Sequence, residues 1–394
     1  MTDLAAHNPS LRRFRVDKLG VLIAILVAVA LILPFAVFRA NRIVPGEGHL
    51  IFTALPAHVA AMLLLAVGGA ALVALVRSPL LWRLAASFVA LAALALAVGM
   101  AGGFLTPEGD RLARVSPAGG YWLGSFAFAL LATDAFVRLK LQPWLRIAAL
   151  VIVFALIGAL LVSGAWRDLS ILKEYANRAD TFWREGQTHV VLALGSLGAA
   201  ALVGIPLGVV IQRVRPLRTP VLNVLNIIQT IPSIALFGLL IAPLAWIAAN
   251  LPGAAAIGIS GIGAAPALVA LFGYSLLPMV ANTVVGLEGV PPAAYDAARG
   301  MGMTNWQRLR QVEFPLAFPV ILTGIRIVLV QNIGLATIAA LIGGGGFGVF
   351  VFQGVGQTAM DLVLLGALPT VALAFAAAVV LDAVVEMVSV RGRK

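Results

Sequence analysis

The chain has 394 residues, of which 61% are hydrophobic and only 11% charged, against roughly 25% charged in an average soluble protein. A soluble fold of this length must wet a large exposed shell, so this composition excludes an ordinary soluble enzyme and fits helices that face lipid. The 27 basic and 16 acidic residues give a net charge of +11, and there is no cysteine, which removes disulfides and thiolate metal sites. A transmembrane β-barrel would alternate apolar and polar residues in segments of about ten, whereas this sequence stays apolar for about twenty at a time. His7, His49, His58 and His189 are scattered as loop or helix-end residues, without the four-residue spacing of a helical metal pair, so no metal or other cofactor is expected.

In chain order, Arg12, Arg13, Arg15 and Lys18 precede an apolar run over 19–38 that is long enough for a retained first helix and too long for a cleaved signal. Further apolar spans cover 58–76, 80–100, 119–137, 146–164, 189–211, 219–246, 263–287, 315–342 and 361–388. The expectation is an all-α polytopic membrane protein of about ten transmembrane helices. With a cytoplasmic N-terminus, the inner segments collect Arg12, Arg13, Arg15, Lys18, Arg77, Arg83, Arg138, Lys140, Arg146, Arg213, Arg215, Arg218, Arg299, Arg308, Arg310, Arg326, Arg391, Arg393 and Lys394. The outer ones keep Arg39, Arg42, Arg111, Arg114, Arg167, Lys173, Arg178 and Arg184. This bias is the positive-inside signature of an even number of helices with both termini in the cytoplasm. It accounts for the basic charge without a nucleic-acid partner.

Texture divides the chain. Residues 1–165 hold five Ala-, Leu- and Val-rich helices, and 166–188 form a polar stretch with Trp166, Tyr175 and Trp183 that reads as an amphipathic helix at the outer interface, a linker or a docking surface. Residues 189–394 carry polar groups and prolines at membrane depth: Asn226, Gln229, Pro232 and Ser233 in the seventh span, Tyr274, Pro278 and Asn282 in the eighth, Gln331 and Asn332 in the ninth. Single amides are commonly helix-packing glue. Clustered in one half of the protein, Asn226, Gln229, Pro232, Ser233, Tyr274, Asn282, Gln331 and Asn332 become candidates for a translocation path, because irregular backbone at this depth survives only against protein or a water-lined cavity.

The inner segment 288–314 is expected to project. Pro291 and Pro292 can start a short helix, Gly300 and Gly302 permit a sharp turn, and Thr304 with Gln307 fits a capping box opening a second short helix through about Glu313, before Pro315 begins the ninth span. Asp296, Arg299, Arg308 and Arg310 give this surface its charge. The run from Gly343 to Gly348 has no lysine of a phosphate loop; it reads as close packing or a hinge, or as bare backbone past which a substrate moves.

Asp296, Ala297, Ala298, Gly302, Val312, Phe314 and Pro315 resemble the Glu-Ala-Ala, three residues, Gly, nine residues, Ile, one residue, Leu-Pro pattern of bacterial ABC importer permeases. Asp replaces Glu, Val replaces Ile and Phe replaces Leu at identical spacing. Together with Gln229 to Gly238 and Gly324 to Gly348, the region 187–388 is similar to the glycine betaine, choline and osmoprotectant permeases, and the first five helices resemble the extra region of the YehY and YehW type. The resemblance implies a non-catalytic permease subunit of the bacterial inner membrane. Its implied partners are cytoplasmic ABC ATPase subunits, a periplasmic or lipid-anchored solute-binding protein, a second permease copy, as a homodimer, and membrane lipid. It further implies that Asp296, Arg299, Arg308 and Arg310 meet the ATPase, that Ala297, Ala298 and Gly302 allow close packing there, and that Pro315 closes the motif. Import of amino acids or methionine, or secondary transport on an ion gradient, are the alternatives. The latter would favour an intramembrane carboxylate, yet Asp134, Asp382 and Glu386 fall near expected inner helix ends.

Overall fold

The computed structural model describes residues 17–41, 44–110 and 112–391; Arg12, Arg13, Arg15, Arg42, Arg111, Arg393, Lys394 and His7 lie outside them. Among the described residues, nine helical stretches are long and apolar enough to cross a membrane, and a tenth apolar helix is shorter. The chain is an all-α polytopic membrane protein organised as two compact units, one running to Leu141 and including Leu156–Lys173, the other comprising Gln142–Ala155 and everything from Glu174.

In the first unit, α1 (Lys18–Ile32), β1 (Ala36–Arg39), β2 (Glu47–His49), α2 (Ile51–Ala54), α3 (Ala57–Leu75), α4 (Leu80–Leu105), β3 (Arg114–Pro117) and α5 (Gly119–Arg138) occur in that order. The first helix is shorter than the apolar run that suggested it: Leu33 is extended, as the residue before Pro34 must tend to be, and the chain enters β1 instead. The strands form a small antiparallel sheet in the order β2-β1-β3, with Phe38 opposite Glu47 on one side and Val115 on the other. Helix packing relies on missing side chains: a Cβ on Gly20 of α1 would stand 2.0 Å from the Ala74 carbonyl oxygen of α3. Buried Arg83 closes the same end, pairing with Asp17 and donating to the carbonyls of Ala74 and Val76 at 3.3 Å each. These carbonyls sit at the C-terminal end of α3, where helical donors run out.

Helix α6 (Pro143–Val162) contributes its first half to the second unit. Then come α7 (Ser170–Asn177), α8 (Ala179–Arg213), α9 (Arg215–Thr230), α10 (Ser233–Leu239), α11 (Ile241–Asn250), α12 (Ala264–Glu288), α13 (Pro292–Gly300), α14 (Asn305–Arg308), a π-turn at Leu309–Glu313, α15 (Phe314–Leu335), a 3-10 turn at Ile338–Ile342, α16 (Gly348–Gly356) and α17 (Met360–Arg391). Helix α8 extends to residue 179, so the second half of the polar stretch 166–188 is the start of a spanning helix, and only α7 is separate.

The core of the second unit is the set α8, α12 and α15. Cβ atoms added at Gly204 and Gly208 of α8 would approach Met279 Cγ and Thr283 Cβ of α12 to 2.8 and 2.6 Å, and one at Gly324 of α15 would lie 2.8 Å from Asn282 Cβ. Small residues thus set the helix separations, as expected where lipid supplies no hydrophobic drive between helices. Leu192, Phe237, Ala267, Leu271 and Ala339 fill one layer, and Ile211, Leu225, Leu276 and Val280 another.

Candidate functional site

The expected seventh span divides. Helix α9 ends at Thr230, Ile231 is extended, and α10 restarts with Pro232 as its N-cap, so Asn226 and Gln229 belong to an amphipathic helix and the spanning stretch is Ser233–Asn250. Proline has no N–H and disfavours helical geometry in the preceding residue. The broken ends are satisfied from α12: the Tyr274 hydroxyl donates to the Ile231 carbonyl. In return Gln229 Nε2 donates to the Tyr274 carbonyl at 2.8 Å. That carbonyl needs a donor because Pro278, one turn later, cannot supply one. Asn282 is turned onto its own helix, with Nδ2 2.7 Å from the Pro278 carbonyl.

Asn332 lies apart from this group and fully buried. Its Nδ2 donates to Ser196 Oγ of α8 at 2.8 Å, and its Oδ1 accepts from Ser275 of α12 at 3.0 Å. Both serines also reach carbonyls of their own helices, Leu192 and Leu271, at 2.6 Å. The result is a polar knot tying three spanning helices. Gln331 is half-buried beside it, Ser233 is half-buried at the start of α10, and Asn226 and Pro232 are exposed. The eight expected path residues therefore do not share one lining: Gln229, Pro232 and Tyr274 form one group, and Asn332 anchors another.

No spacing in the sequence distinguishes Ser196 and Ser275 from other small residues, and His189 does not lie in a loop or at a helix end as expected. His189 is instead fully buried inside α8, with Nε2 2.9 Å from the Ile333 carbonyl and Nδ1 accepting the Phe347 N–H at 3.3 Å. Glu185, one turn earlier, accepts the Gly346 N–H at 2.8 Å. These contacts fasten the glycine run to α8. Gly343, Gly345 and Gly346 have φ of 76°, 76° and 85°, which L side chains rarely adopt. A Cβ on Gly348 would fall 1.8 Å from the Thr337 carbonyl oxygen. The run packs tightly, with no room for a side chain at Gly348.

The segment expected to project is held as a unit. Helix α13 begins with Pro292 and ends in a left-handed cap: Gly302 has φ 78°, its N–H bonds the Arg299 carbonyl at 3.0 Å and the Met303 N–H bonds the Ala298 carbonyl at 3.2 Å. Thr304 and Gln307 make the capping box. The helix that this box opens is not a second free one. α14 continues through a π-turn, marked by the Phe314 N–H bonding the Leu309 carbonyl, directly into α15. The widened turn sits where Pro315 would otherwise disrupt the helical ladder. Asp296, Ala297, Arg299, Gly302, Arg310 and Pro315 are exposed, as are Met301 at 71% and Trp306 at 67%, whereas Ala298 is buried.

Arg308 differs from the other cations of the segment. It is buried, its Nη2 donates to the Tyr295 hydroxyl at 3.0 Å and to Asn305, and its guanidinium carbon lies 4.4 Å from the Tyr295 ring centroid. It joins α14 to α13 rather than facing outward. At the root of the segment, Arg213 at the end of α8 pairs with buried Glu313 at 2.5 Å, while Arg218 of α9 pairs with Glu288 of α12. The carboxylates expected near helix ends are paired as well: Asp134 with Arg138 at 2.9 Å, Asp382 with Arg146 at 3.1 Å and with Arg326, and Glu386 with Arg146 at 2.9 Å.

Comparison with known proteins adds three findings. Residues 17–172 match the family described as "ABC transporter permease YehY, N-terminal domain", and residues 201–394 match "Binding-protein-dependent transport system inner membrane component". The osmoprotectant import permease protein OsmW of Salmonella typhimurium is 46% identical over 46% of this chain and 79% of its own. The glycine betaine/carnitine/choline transport system permease protein OpuCB of Bacillus subtilis is 36% identical over 50% of this chain and 83% of its own. A solved inward-facing structure of the MetNI methionine ABC transporter aligns at 23% identity and TM-score 0.45, over 54% of this chain and 98% of that one.

Proposed function

Because the chain belongs to the family of binding-protein-dependent transport system inner membrane components, we propose that it carries glycine betaine, choline or a related osmoprotectant inward, as the permease subunit of an ABC importer. It is the non-catalytic, multi-pass inner-membrane subunit of such a system, and ATP hydrolysis resides on separate ATPase subunits. The observation that carries the reading is the capped segment from α13 through α14 to the π-turn, along which Asp296, Ala297, Arg299, Gly302 and Arg310 are exposed. In this reading both termini are cytoplasmic, 1–165 is an extension, 166–188 a periplasmic linker, and 189–394 the permease core with its coupling loop at 288–314.

Two copies form a homodimer. A solute-binding protein delivers the solute to the outer face, and closure of the ATPase subunits pushes on α13 and α14. Ala297, beside the buried Ala298, lets an ATPase groove approach the backbone, and Asp296, Arg299 and Arg310 supply polar contacts. Arg308 and Pro315 act by shaping the segment, the buried Arg308 by fixing α13 to α14 and the exposed Pro315 by placing the π-turn. Transport past the core proceeds by alternating access, with the break at Pro232 and the polar groups Asn226, Gln229, Ser233, Tyr274, Asn282, Gln331 and Asn332 along the moving helices. Substrate choice rests mainly with the binding protein, since Tyr274 spends its hydroxyl on Ile231 and is a single aromatic where a quaternary ammonium calls for a cage.

The test is affinity purification of the chain from its native membrane, followed by direct binding of candidate solutes to the binding protein that accompanies it. Recovery of an ABC ATPase and a betaine- or choline-binding protein is expected. Recovery of the permease with neither would reject the assignment.

A further inference from the structure

Glu313 lies at the root of the projecting segment and is 3% exposed. Its Oε2 takes the Arg213 guanidinium at 2.5 Å, while its Oε1 is buried without a hydrogen-bond partner among the described residues. Arg308 Nε and Gln212 Oε1, on the residues flanking the π-turn and Arg213, are orphaned in the same way. Arg213 keeps 33% of its side chain exposed, so solvent screens the pair and it adds little stability, while the buried Oε1 without a partner is a cost. The position of Glu313 therefore calls for a reason other than holding the fold. It sits on the π-turn Leu309–Glu313, a backbone irregularity of the kind that gathers at functional sites. Leu309 and Phe314 on either side pack into one apolar cluster with Ile205 and Val209 of α8 and Leu287 of α12.

Two contacts joined by a continuous stretch of backbone thus run from the exposed helix to α8. The Tyr295 hydroxyl of α13 accepts from Arg308 of α14, α14 passes into the π-turn, and Glu313 of that turn grips Arg213, the last residue of α8. Helix α8 in turn carries Ser196, His189 and Glu185, which hold Asn332 and the glycine run toward its other end. From Arg213 to His189 is about 36 Å along a straight helix.

We propose that Glu313 is a positioning residue for transport: through Arg213 it binds the projecting segment to α8, so that a push on α13 and α14 is delivered to α8 and thence to the glycine run, as well as along the backbone into α15. The inference rests on the function proposed above. The unpaired Oε1 lets the carboxylate keep a partner as the two elements shift against each other.

The experiment compares wild type, Glu313→Gln and the exchanged pair Arg213→Glu/Glu313→Arg in liposomes containing the complete complex with its ATPase and binding protein. The readouts are ATPase retained on the purified permease and solute imported per ATP hydrolysed, the second of which a merely structural role would leave unchanged. Glu313→Gln should keep the ATPase but lower the solute-to-ATP ratio about fivefold or more, and the exchanged pair should recover it. An unchanged ratio in Glu313→Gln overturns the proposal, as does a lowered ratio that the exchanged pair leaves uncorrected. If Glu313→Gln does not reach the membrane, the exchanged pair decides alone: a wild-type ratio supports the proposal and a lowered one overturns it. Wild-type uptake that needs both ATP and binding protein upholds the underlying function, so a failure confined to the variants counts against Glu313 alone.

Discussion

The side-chain amide of Gln229 stands 2.8 Å from the carbonyl oxygen of Tyr274, the acceptor that Pro278 leaves without a helical donor. One helix repairs another, and the repair also fixes the end of α9 next to the break at Pro232. Gln229→Leu should destabilise the protein by about 1 kcal/mol, read as a lower melting temperature in detergent. In a Pro278→Ala background the backbone N–H is restored, and the same substitution should cost much less. Equal losses in both backgrounds would show that the two residues are not coupled.

Gly302 ends α13 in a conformation with φ 78° and open space around the missing Cβ. Strain, not collision, is then the cost of a side chain, about 1–2 kcal/mol for alanine and less for asparagine. Gly302→Ala should therefore lower uptake more than Gly302→Asn at equal membrane amounts. Gly302→Trp should insert normally but uncouple transport from ATP hydrolysis, and normal binding-protein-stimulated uptake by this variant would contradict the coupling role.

The sequence was legible where one principle acted alone. Long apolar runs gave α3, α4, α5, α6, α12 and α17 to within a few residues, and Thr304 with Gln307 gave a cap that forms as expected. It was less legible where two signals competed. Pro34 and Pro232 each cut an apolar run into a helix and something else, and hydropathy alone does not see the cut. The three-stranded sheet escaped because its strands are three or four residues long and β3 lies far along the chain from the β1 it pairs with. Exposed cations looked alike in sequence, yet Arg308 is buried on Tyr295 while Arg299 and Arg310 face outward. His189 and Asn332 owe their roles to partners 158 and 136 residues away, a distance over which spacing carries no information.

Asn332 binds Ser196 and Ser275 across three helices, but each serine also has a carbonyl of its own helix to bond. Asn332→Leu should accordingly cost only about 1 kcal/mol, whereas Asn332→Asp places an unpaired charge in a fully buried position and should prevent stable insertion or folding. Monodispersity in size-exclusion chromatography separates the two outcomes. Equal behaviour of the two variants would argue against a dry site.

Lys173 donates to the Ala113 carbonyl at 3.0 Å. Burial lowers its pKa below the usual lysine value, opposed by Asp168, helped by Arg114 and opposed again by Asp110. A lowered folded-state pKa means that the unfolded chain binds the proton more tightly, so this group's contribution to stability rises with pH through the alkaline window between the two values. Acylation of Lys173, followed by mass spectrometry, should set in at lower pH than for a free lysine. Asp168→Asn should move it lower still, and an upward shift would contradict the assigned charges.

The most direct test of the importer assignment is solute uptake into liposomes containing this chain with its cognate ATPase, with the binding protein outside and ATP inside. Glycine betaine or choline should accumulate only when ATP, ATPase and binding protein are all present. Accumulation that persists without the ATPase and tracks an imposed ion gradient would contradict it.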